Sequence, residues 1–161
     1  MSQQRGQDHS GGAAPGPVLT RSGRTALEER ARRLKDEVIP ACGRRLKSAQ
    51  SDAYPNIAAE YQRALSELAD ISDVLREAVD AEDLPADPDV VELGDTVTIE
   101  MPDGGLERYV IVHPAEAPID SHRISSESPM SEAILGRRPG ERVEVAAPFG
   151  TFEVTIRNVV R

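Results

Sequence analysis

The sequence predicts an α+β protein in which an antiparallel pair of helices precedes a small β-domain with one short helix. Through much of the first 80 residues, apolar side chains recur at alternating spacings of four and three, the period of a helical packing stripe. Beyond residue 90 the period changes to two, and β-branched residues alternate with polar ones as in strands. The change of period marks two structurally different halves.

The first helix is predicted to follow a polar N-terminal tail. Residues 1–18 are mostly Gly, Ser, Gln, Ala and Pro, so we expect them to form a disordered tail. Thr20 or Ser22 can cap the helix, because a hydroxyl accepts a hydrogen bond from the first-turn amides. Pro40 lacks an amide donor and predicts a bend, after which the helix continues to about Ala49. The packing stripe consists of Leu27, Ala31, Leu34 and Val38.

The second helix has a stripe of the same spacing, formed by Tyr61, Leu65, Leu68, Ile71 or Ser72, Leu75 and Val79, with Ala64, Val74 and Ala78 beside it. Two stripes of similar length joined by a short turn can bury each other only side by side. We therefore predict an antiparallel coiled-coil hairpin over residues 19–80, with its tip near 51–58. At about 1.5 Å of rise per residue, its arms would be roughly 40 Å long.

The second half is predicted to begin after an acidic linker that contains two prolines, residues 81–90. Residues 91–161 form the β-domain. One hairpin joins Asp95–Glu100 to Leu106–Val112, and a second hairpin turns at the sequence Pro-Phe-Gly. Between them, Ser128 is a plausible cap for a short helix that ends at Gly136.

Composition limits the possible functions. The net charge of −9 argues against coating of nucleic acid. The charge is unevenly distributed, because residues 21–47 contain nine basic and four acidic residues and residues 52–103 contain two basic and fifteen acidic residues. Two Phe, three Tyr and no Trp argue against a roomy enzyme core. The single cysteine, Cys42, is interpreted as a packing residue. No run approaches the ~20 apolar residues of a membrane span, so we expect a soluble, cytoplasmic protein.

Several segments resemble the bacterial Gre transcription factors. These are "VLTRSGRTALEERARRLKDEVIP" at residues 18–40, "AAEY" at 58–61, "GDTVTIE" at 94–100, and the block from Ile124 to Ile156 with its serine-proline helix, Leu-Gly, Gly-Glu and Pro-x-Gly. The resemblance extends over residues 18–161. It implies a helical hairpin followed by an FKBP-like β-domain.

The resemblance implies a partner, RNA polymerase. In such a factor the β-domain docks on the rim of the polymerase secondary channel, here through Glu127, Ser128 and Pro129, and the coiled coil enters the channel. DNA binding is a further family-level expectation. Members that stimulate transcript cleavage carry an Asp and a Glu at the tip, which help to hold Mg²⁺ beside backtracked RNA. Carboxylates suit this role because Mg²⁺ prefers hard oxygen ligands.

The tip of this chain departs from that pattern. With "AAEY" setting the register, Tyr54 stands where the family has the Asp, and Ile57 stands where it has the Glu. Pro55 and Asn56 occupy the positions between them. We therefore expect a monomeric factor that binds polymerase and inhibits transcription, with no catalytic residue, metal or cofactor of its own. The alternative is a cleavage factor that uses Asp52, Glu60 or both.

Several of these residues allow a second interpretation. Arg44, Arg45 and Lys47 form a basic patch that could contact the 3′ end of nascent RNA or the channel wall. These residues could instead pair with acids of the returning helix such as Asp70 and Glu67. Asp52 could be a solvated acid or a helix cap, and Ser128 with Pro129 could simply begin a helix.

Two other functions compete with this one. One is prolyl isomerisation, since the Gre β-domain resembles the fold of such isomerases; residues 90–161 offer only Tyr109, Phe149 and Phe152 for an aromatic pocket. The other is regulation through binding of other proteins, a role suggested for short-armed Gre-like regulators. The predicted arms are too long for that comparison.

Overall fold

The computed structural model describes residues 16–50 and 52–161. Most of the predicted tail, residues 1–15, and Ser51 at the predicted tip lie outside the described residues. The tail prediction was wrong at its end, because Val18 and Leu19 form a short strand, β1 (Val18–Leu19). β1 runs parallel to β2 (Val79–Asp80), so the start of the first helical arm is tied to the end of the second.

The first arm consists of α1 (Arg21–Arg33), a π-helical turn (Leu34–Val38) and α2 (Ile39–Ser48). Thr20 caps α1, because its side chain accepts a hydrogen bond from the Gly23 amide at 2.9 Å. The wide turn lies directly before Pro40, whose missing N–H interrupts the regular helical ladder. The sequence thus located the irregularity correctly, and the helix continues beyond it.

The second arm is one helix, α3 (Tyr54–Glu77), and it runs antiparallel to the first arm. Three contacts establish the direction, because Arg24 reaches the Ala78 carbonyl, Arg30 pairs with Glu67, and Arg45 pairs with Glu60. The buried core between the arms contains Leu19, Leu27, Leu34, Ala64 and Ile71.

The predicted stripe of the second arm was wrong at two of its positions. Leu65 is 36% exposed, and Val79 lies in β2 rather than in the helix and is 38% exposed. Ala64 is buried in the core, and Val74 and Ala78 pack against it. Periodicity placed Ala64 beside the stripe but did not decide that Ala64, and not Leu65, is the buried residue of the two.

The predicted linker contains ordered structure. A short 3₁₀ turn spans Ala81–Asp83, and Ala81 is buried. The side chain of Arg161, the last residue of the chain, donates to the Ala81 carbonyl and forms an ion pair with Glu92. This segment is therefore held against the sheet.

A five-stranded sheet forms the second half, in the order β5-β4-β3-β7-β6. The predicted hairpins are present, and all neighbouring strands are antiparallel except β4 and β5. A register shift beside Ile99 bulges the β3–β7 pair and helps the sheet to curl. The strands are β3 (Thr96–Glu100), β4 (Leu106–Val112), β5 (Arg123–Ser125), β6 (Arg142–Ala147) and β7 (Gly150–Val160).

One face of the sheet is covered by α4 (Pro129–Ile134), the short helix predicted from the sequence. Its Ile134 is fully buried in a second core with Val97, Ile99, Ile111, Val145, Val154 and Ile156. The molecule is thus a mixed α+β protein with one core between its helices and another beneath its curled sheet. None of the helices within the described residues is both long enough and apolar enough to cross a bilayer.

Candidate functional site

The turn between the helical arms is shorter than predicted. α2 ends at Ser48 and α3 begins at Tyr54, so residues Tyr54 to Ile57 lie in a helix and not in a loop. The carbonyl of Gln50 accepts hydrogen bonds from the Ala53 and Tyr54 amides at 3.1 and 3.2 Å. Pro55 suits the first turn of a helix, because an amide there has no intrahelical partner.

The tip exposes few groups that can bind a cation. Tyr54 is 50% exposed, Pro55 and Asn56 are exposed, and Ile57 is partly buried. Asp52 is exposed, and it is not the helix cap, since Ala53 occupies that position without a side-chain hydrogen bond. Among the described residues, no group of three or more His, Cys, Asp or Glu side chains is arranged to hold a metal ion.

Glu60 is separated from the tip and has a partner. It lies six residues after Tyr54 in the same helix, about 9 Å along the axis. Its carboxylate accepts a hydrogen bond from Arg45 at 2.9 Å. Asp52 and Glu60 are thus not brought together as a pair of ligands.

The basic patch is divided by this ion pair. Arg45 is bound to Glu60, whereas Arg44 and Lys47 are exposed on the same helix. Pairing with an acid of the returning helix is therefore found for Arg45, but the partner is Glu60 and not Asp70 or Glu67. Glu67 binds Arg30 through two hydrogen bonds of 2.7 and 3.0 Å. That hydrogen bonding raises the pKa of the Arg30 guanidinium. Cys42 is buried beside the patch.

The predicted docking residues surround the start of α4. The Ser128 hydroxyl accepts the Ser131 amide at 3.2 Å and contacts the Ser131 hydroxyl at 3.0 Å, so Ser128 is a helix cap. Glu127 and Pro129 are exposed. The cap explains why Ser precedes Pro here, and it leaves the two exposed neighbours available for contact with a partner.

A buried carboxylate joins the helical arms to the sheet. Glu116, in the loop between β4 and β5, is completely buried. It accepts hydrogen bonds from the Thr20 amide at 2.9 Å and from the Thr20 hydroxyl at 2.6 Å. Its negative charge lies at the N-terminus of α1, where the helix dipole favours an anion. We call Thr20, Glu116 and Arg123 the junction.

Arg123 on β5 completes the junction. Its guanidinium donates to Glu116 at 2.9 Å and to Ser22 at 2.9 Å, and its side chain is only 13% exposed. It also donates a hydrogen bond to Asp120. Desolvation raises the pKa of the Asp120 carboxyl, but the hydrogen bonding outweighs desolvation, so the pKa is lowered. The charge of Glu116 is therefore paired and hydrogen-bonded, as a buried carboxylate requires.

The sequence predicted Thr20 or Ser22 as a cap, but Glu116 and Arg123 were missed. One signal was present, namely Gly23 in the first turn of a helix, where glycine is a poor helix former. A Cβ atom at this position would lie 1.7 Å from a Glu116 carboxylate oxygen. An unexpected glycine in a helix can thus mark a site where another group packs closely.

The aromatic residues of the sheet do not enclose a pocket. Phe149 is 85% exposed and stacks against Phe152, with ring centres 5.8 Å apart. Tyr109 lies on β4 and donates a hydrogen bond to Glu107. An aromatic-lined cavity of the kind needed for prolyl isomerisation is not built from these three residues.

Sequence comparison with known proteins places the chain among the bacterial transcription elongation factors. A family model described as "Transcription elongation factor, GreA/GreB, C-term" matches residues 85–161. Transcription elongation factor GreA of Oceanobacillus iheyensis is 35% identical over 149 residues, which are 88% of this chain and 94% of that protein. The GreA of Geobacillus kaustophilus is 36% identical over 146 residues, 86% of this chain and 92% of that protein.

The chain belongs to the GreA/GreB family. Among solved structures, the crystal structure of GreA factor homolog 1 (Gfh1) of Thermus thermophilus is 25% identical, with a TM-score of 0.41 over 91% of this chain and 99% of that one. Since this TM-score is low, family membership rests on the sequence comparisons. The Gre resemblance seen in the sequence is confirmed.

Proposed function

We propose that this chain binds RNA polymerase and inhibits transcription without stimulating transcript cleavage. In this proposal the sheet docks on the rim of the secondary channel, and the helical arms enter the channel as a coiled coil. Membership of the GreA/GreB family supports the choice of partner. Since the partner is a bacterial polymerase, the proposed place of action is the cytoplasm.

The observation that carries the inhibitory part is the chemistry of the tip. Tyr54 and Ile57 present a phenol and an aliphatic chain at the positions that the Gre pattern assigns to carboxylates. Mg²⁺ prefers hard oxygen ligands and is held by carboxylates when it activates water for phosphodiester hydrolysis. Asp52 is one exposed carboxylate, and Glu60 is bound to Arg45. Such a tip can obstruct a channel but has no ligand pair.

The junction supports a role in which docking of the sheet fixes the direction of the helical arms. Thr20, Glu116 and Arg123 fasten the first arm to the sheet through buried hydrogen bonds. A sheet docked through Glu127 and Pro129 would therefore hold the tip in a defined direction. Arg44 and Lys47, which are exposed near the tip, would face RNA phosphates or the channel wall.

The test of the inhibitory proposal uses a purified, backtracked elongation complex with labelled RNA. We expect the wild-type protein to lower the rate of RNA extension without shortening the RNA. The double variant Tyr54→Asp/Ile57→Glu should gain Mg²⁺-dependent cleavage, because it restores two carboxylates at exposed or half-exposed positions. Robust cleavage by the wild-type protein that Asp52→Asn abolishes would refute the proposal in favour of a cleavage factor.

The docking proposal needs a variant that leaves the fold intact. Ser128 is unsuitable by itself because it caps α4, whereas the Glu127 side chain is exposed. Glu127→Gln should weaken the binding of RNA polymerase, and Glu28→Gln on the exposed face of α1 is the matched control. Equal affinity of both variants for the polymerase would remove Glu127 from the docking surface.

A further inference from the structure

The tip of the β6–β7 hairpin presents an aromatic side chain to the solvent on a rigid support. Ala147 and Gly150 form the last pair of the ladder, which leaves a two-residue loop of Pro148 and Phe149. The ring of Pro148 restricts its backbone, and Gly150 takes a φ of +140°, a conformation that other residues rarely adopt. A loop this short has little freedom to withdraw its side chain.

Phe149 is the most exposed large apolar residue among those that the structure describes, at 85%. Its ring stacks nearly parallel on Phe152, with an angle of 11° between the planes. Phe152 in turn packs against the buried core of the sheet. The exposed ring is therefore held in place by contacts that continue into the core, and it does not need to become ordered when a partner binds.

The hairpin adjoins the proposed docking helix. Phe152 is paired with Val145 of β6, and α4 packs on β6. Met130, in the first turn of α4, contacts the same core as Phe152. Apolar groups from the start of α4 and from the hairpin thus belong to one continuous packing unit.

Acidic side chains flank this apolar unit on both faces of the sheet. Glu127 and Glu132 are exposed on the side of α4, and Glu144 and Glu153 are exposed on the other face of the hairpin. Arg142 pairs with Glu153 at 3.6 Å. The Arg137 and Arg138 turn lies at the opposite end of β6 from the hairpin tip. The exposed side chains named on α4 and on the hairpin thus carry more negative than positive charge, since Glu127, Glu132, Glu144 and Glu153 outnumber the single cation Arg142.

We infer that Phe149 is an anchor residue that inserts into an apolar pocket with a basic rim on the surface of RNA polymerase. This inference rests on the proposed function and adds a second contact beside Glu127. Fully desolvated aromatic side chains supply much of the binding energy in protein interfaces, and a ring that is already ordered loses little entropy on binding. The carboxylates attract a basic polypeptide surface and repel nucleic-acid phosphates.

The test compares the affinities of full-length variants for purified RNA polymerase. Phe149→Ser should weaken binding at least about tenfold, as is usual for loss of an aromatic anchor. Leu106→Ser is the matched control, because Leu106 is 65% exposed at the start of β4 in the other hairpin; its affinity should stay within about twofold of the wild type. Phe149→Tyr retains the ring and should bind like the wild type.

A second measurement tests the predicted chemistry of the partner. The double variant Glu127→Gln/Glu132→Gln should bind with a weaker dependence on salt concentration than the wild type, because fewer charges face the basic rim. Thermal unfolding of every variant shows whether the fold is retained, and the exposure of all four positions predicts little change.

The outcomes separate this inference from the function on which it rests. If the wild-type protein and Phe149→Ser bind polymerase equally, the anchor is refuted and the proposed function survives. If Phe149→Ser lowers affinity for single-stranded RNA but not for polymerase, the stated partner is wrong. A wild-type protein without affinity for polymerase would overturn the proposed function and the anchor together.

Discussion

Substitution of alanine for two helical glycines should change the stability of the protein in opposite directions. Gly23 lies in the first turn of α1, and Gly43 lies within α2. Alanine is favoured over glycine inside a helix by about 1 kcal/mol, so helix propensity alone predicts that both substitutions stabilise the protein. The junction predicts otherwise for Gly23.

The magnitude follows from the space around each Cα atom. A Cβ at Gly23 would lie 1.7, 2.1 and 2.7 Å from three side-chain atoms of Glu116, so that carboxylate must leave its buried position. Disruption of a buried, hydrogen-bonded ion pair costs about 3–5 kcal/mol. After the gain in helix propensity, we expect Gly23→Ala to lower the free energy of unfolding by about 2–4 kcal/mol. For a chain of 161 residues this corresponds to roughly 5–15 °C in Tm.

Gly43→Ala is the matched control. Its nearest neighbour would be a ring carbon of Tyr61 at 4.0 Å, an ordinary contact distance. We expect Tm to rise by roughly 2–4 °C. Thermal unfolding followed by far-ultraviolet circular dichroism measures both effects. If Gly23→Ala were as stable as the wild type, the close approach of Glu116 to α1 could not be the reason for glycine at this position.

Three further predictions concern single side chains. Ser128→Ala removes the cap of α4 and should lower the free energy of urea unfolding by about 1 kcal/mol; unchanged stability would contradict the capping role. The hydrogen bond to Glu107 raises the pKa of Tyr109 to about 12. Glu107→Gln should therefore move the pKa of Tyr109 back toward about 10. Ultraviolet titration measures this pKa when the signal of a Tyr109→Phe variant is subtracted. Because the folded-state pKa is the higher one, the stabilisation by this pair is present below about pH 10 and is lost as pH rises through about 12; an unshifted titration in the variant would rule out the bond. A double-mutant cycle on Arg45 and Glu60, whose side chains are 55% and 46% exposed, should give a coupling of no more than about 1 kcal/mol, and a larger value would show that the pair is desolvated.

The local structure was largely predictable because its causes are local. Alternation of β-branched residues predicted β3 and β4, and Ser-Pro followed by a terminal glycine predicted α4. The same reasoning failed at the tip, where Tyr54 to Ile57 were expected in a turn. Tyr54 begins α3 without a side-chain cap, so the signal that usually marks a helix start was absent.

The candidate docking and tip residues were predicted through resemblance to a family, and their roles stay predictions. The structure adds their surroundings, such as the ion pair that binds Glu60 to Arg45 and the cap formed by Ser128. The cap was expected from the sequence, but the partner of Glu60 could not be chosen from spacing alone, because several acids of α3 are compatible with each cation of α2. The pairing depends on the rotation of the two helices about their axes.

The amino-acid order by itself determined the two halves of the protein, the interruption before Pro40 and the absence of a carboxylate pair at the helical tip. These features depend on neighbouring residues, whose chemistry and spacing can be read directly. Only the tertiary structure decided the junction, because Thr20 and Glu116 are 96 residues apart and no local preference links them. The tertiary structure also showed that the exposed ring of Phe149 stacks against Phe152, because the exposure of a side chain depends on what the rest of the chain leaves uncovered.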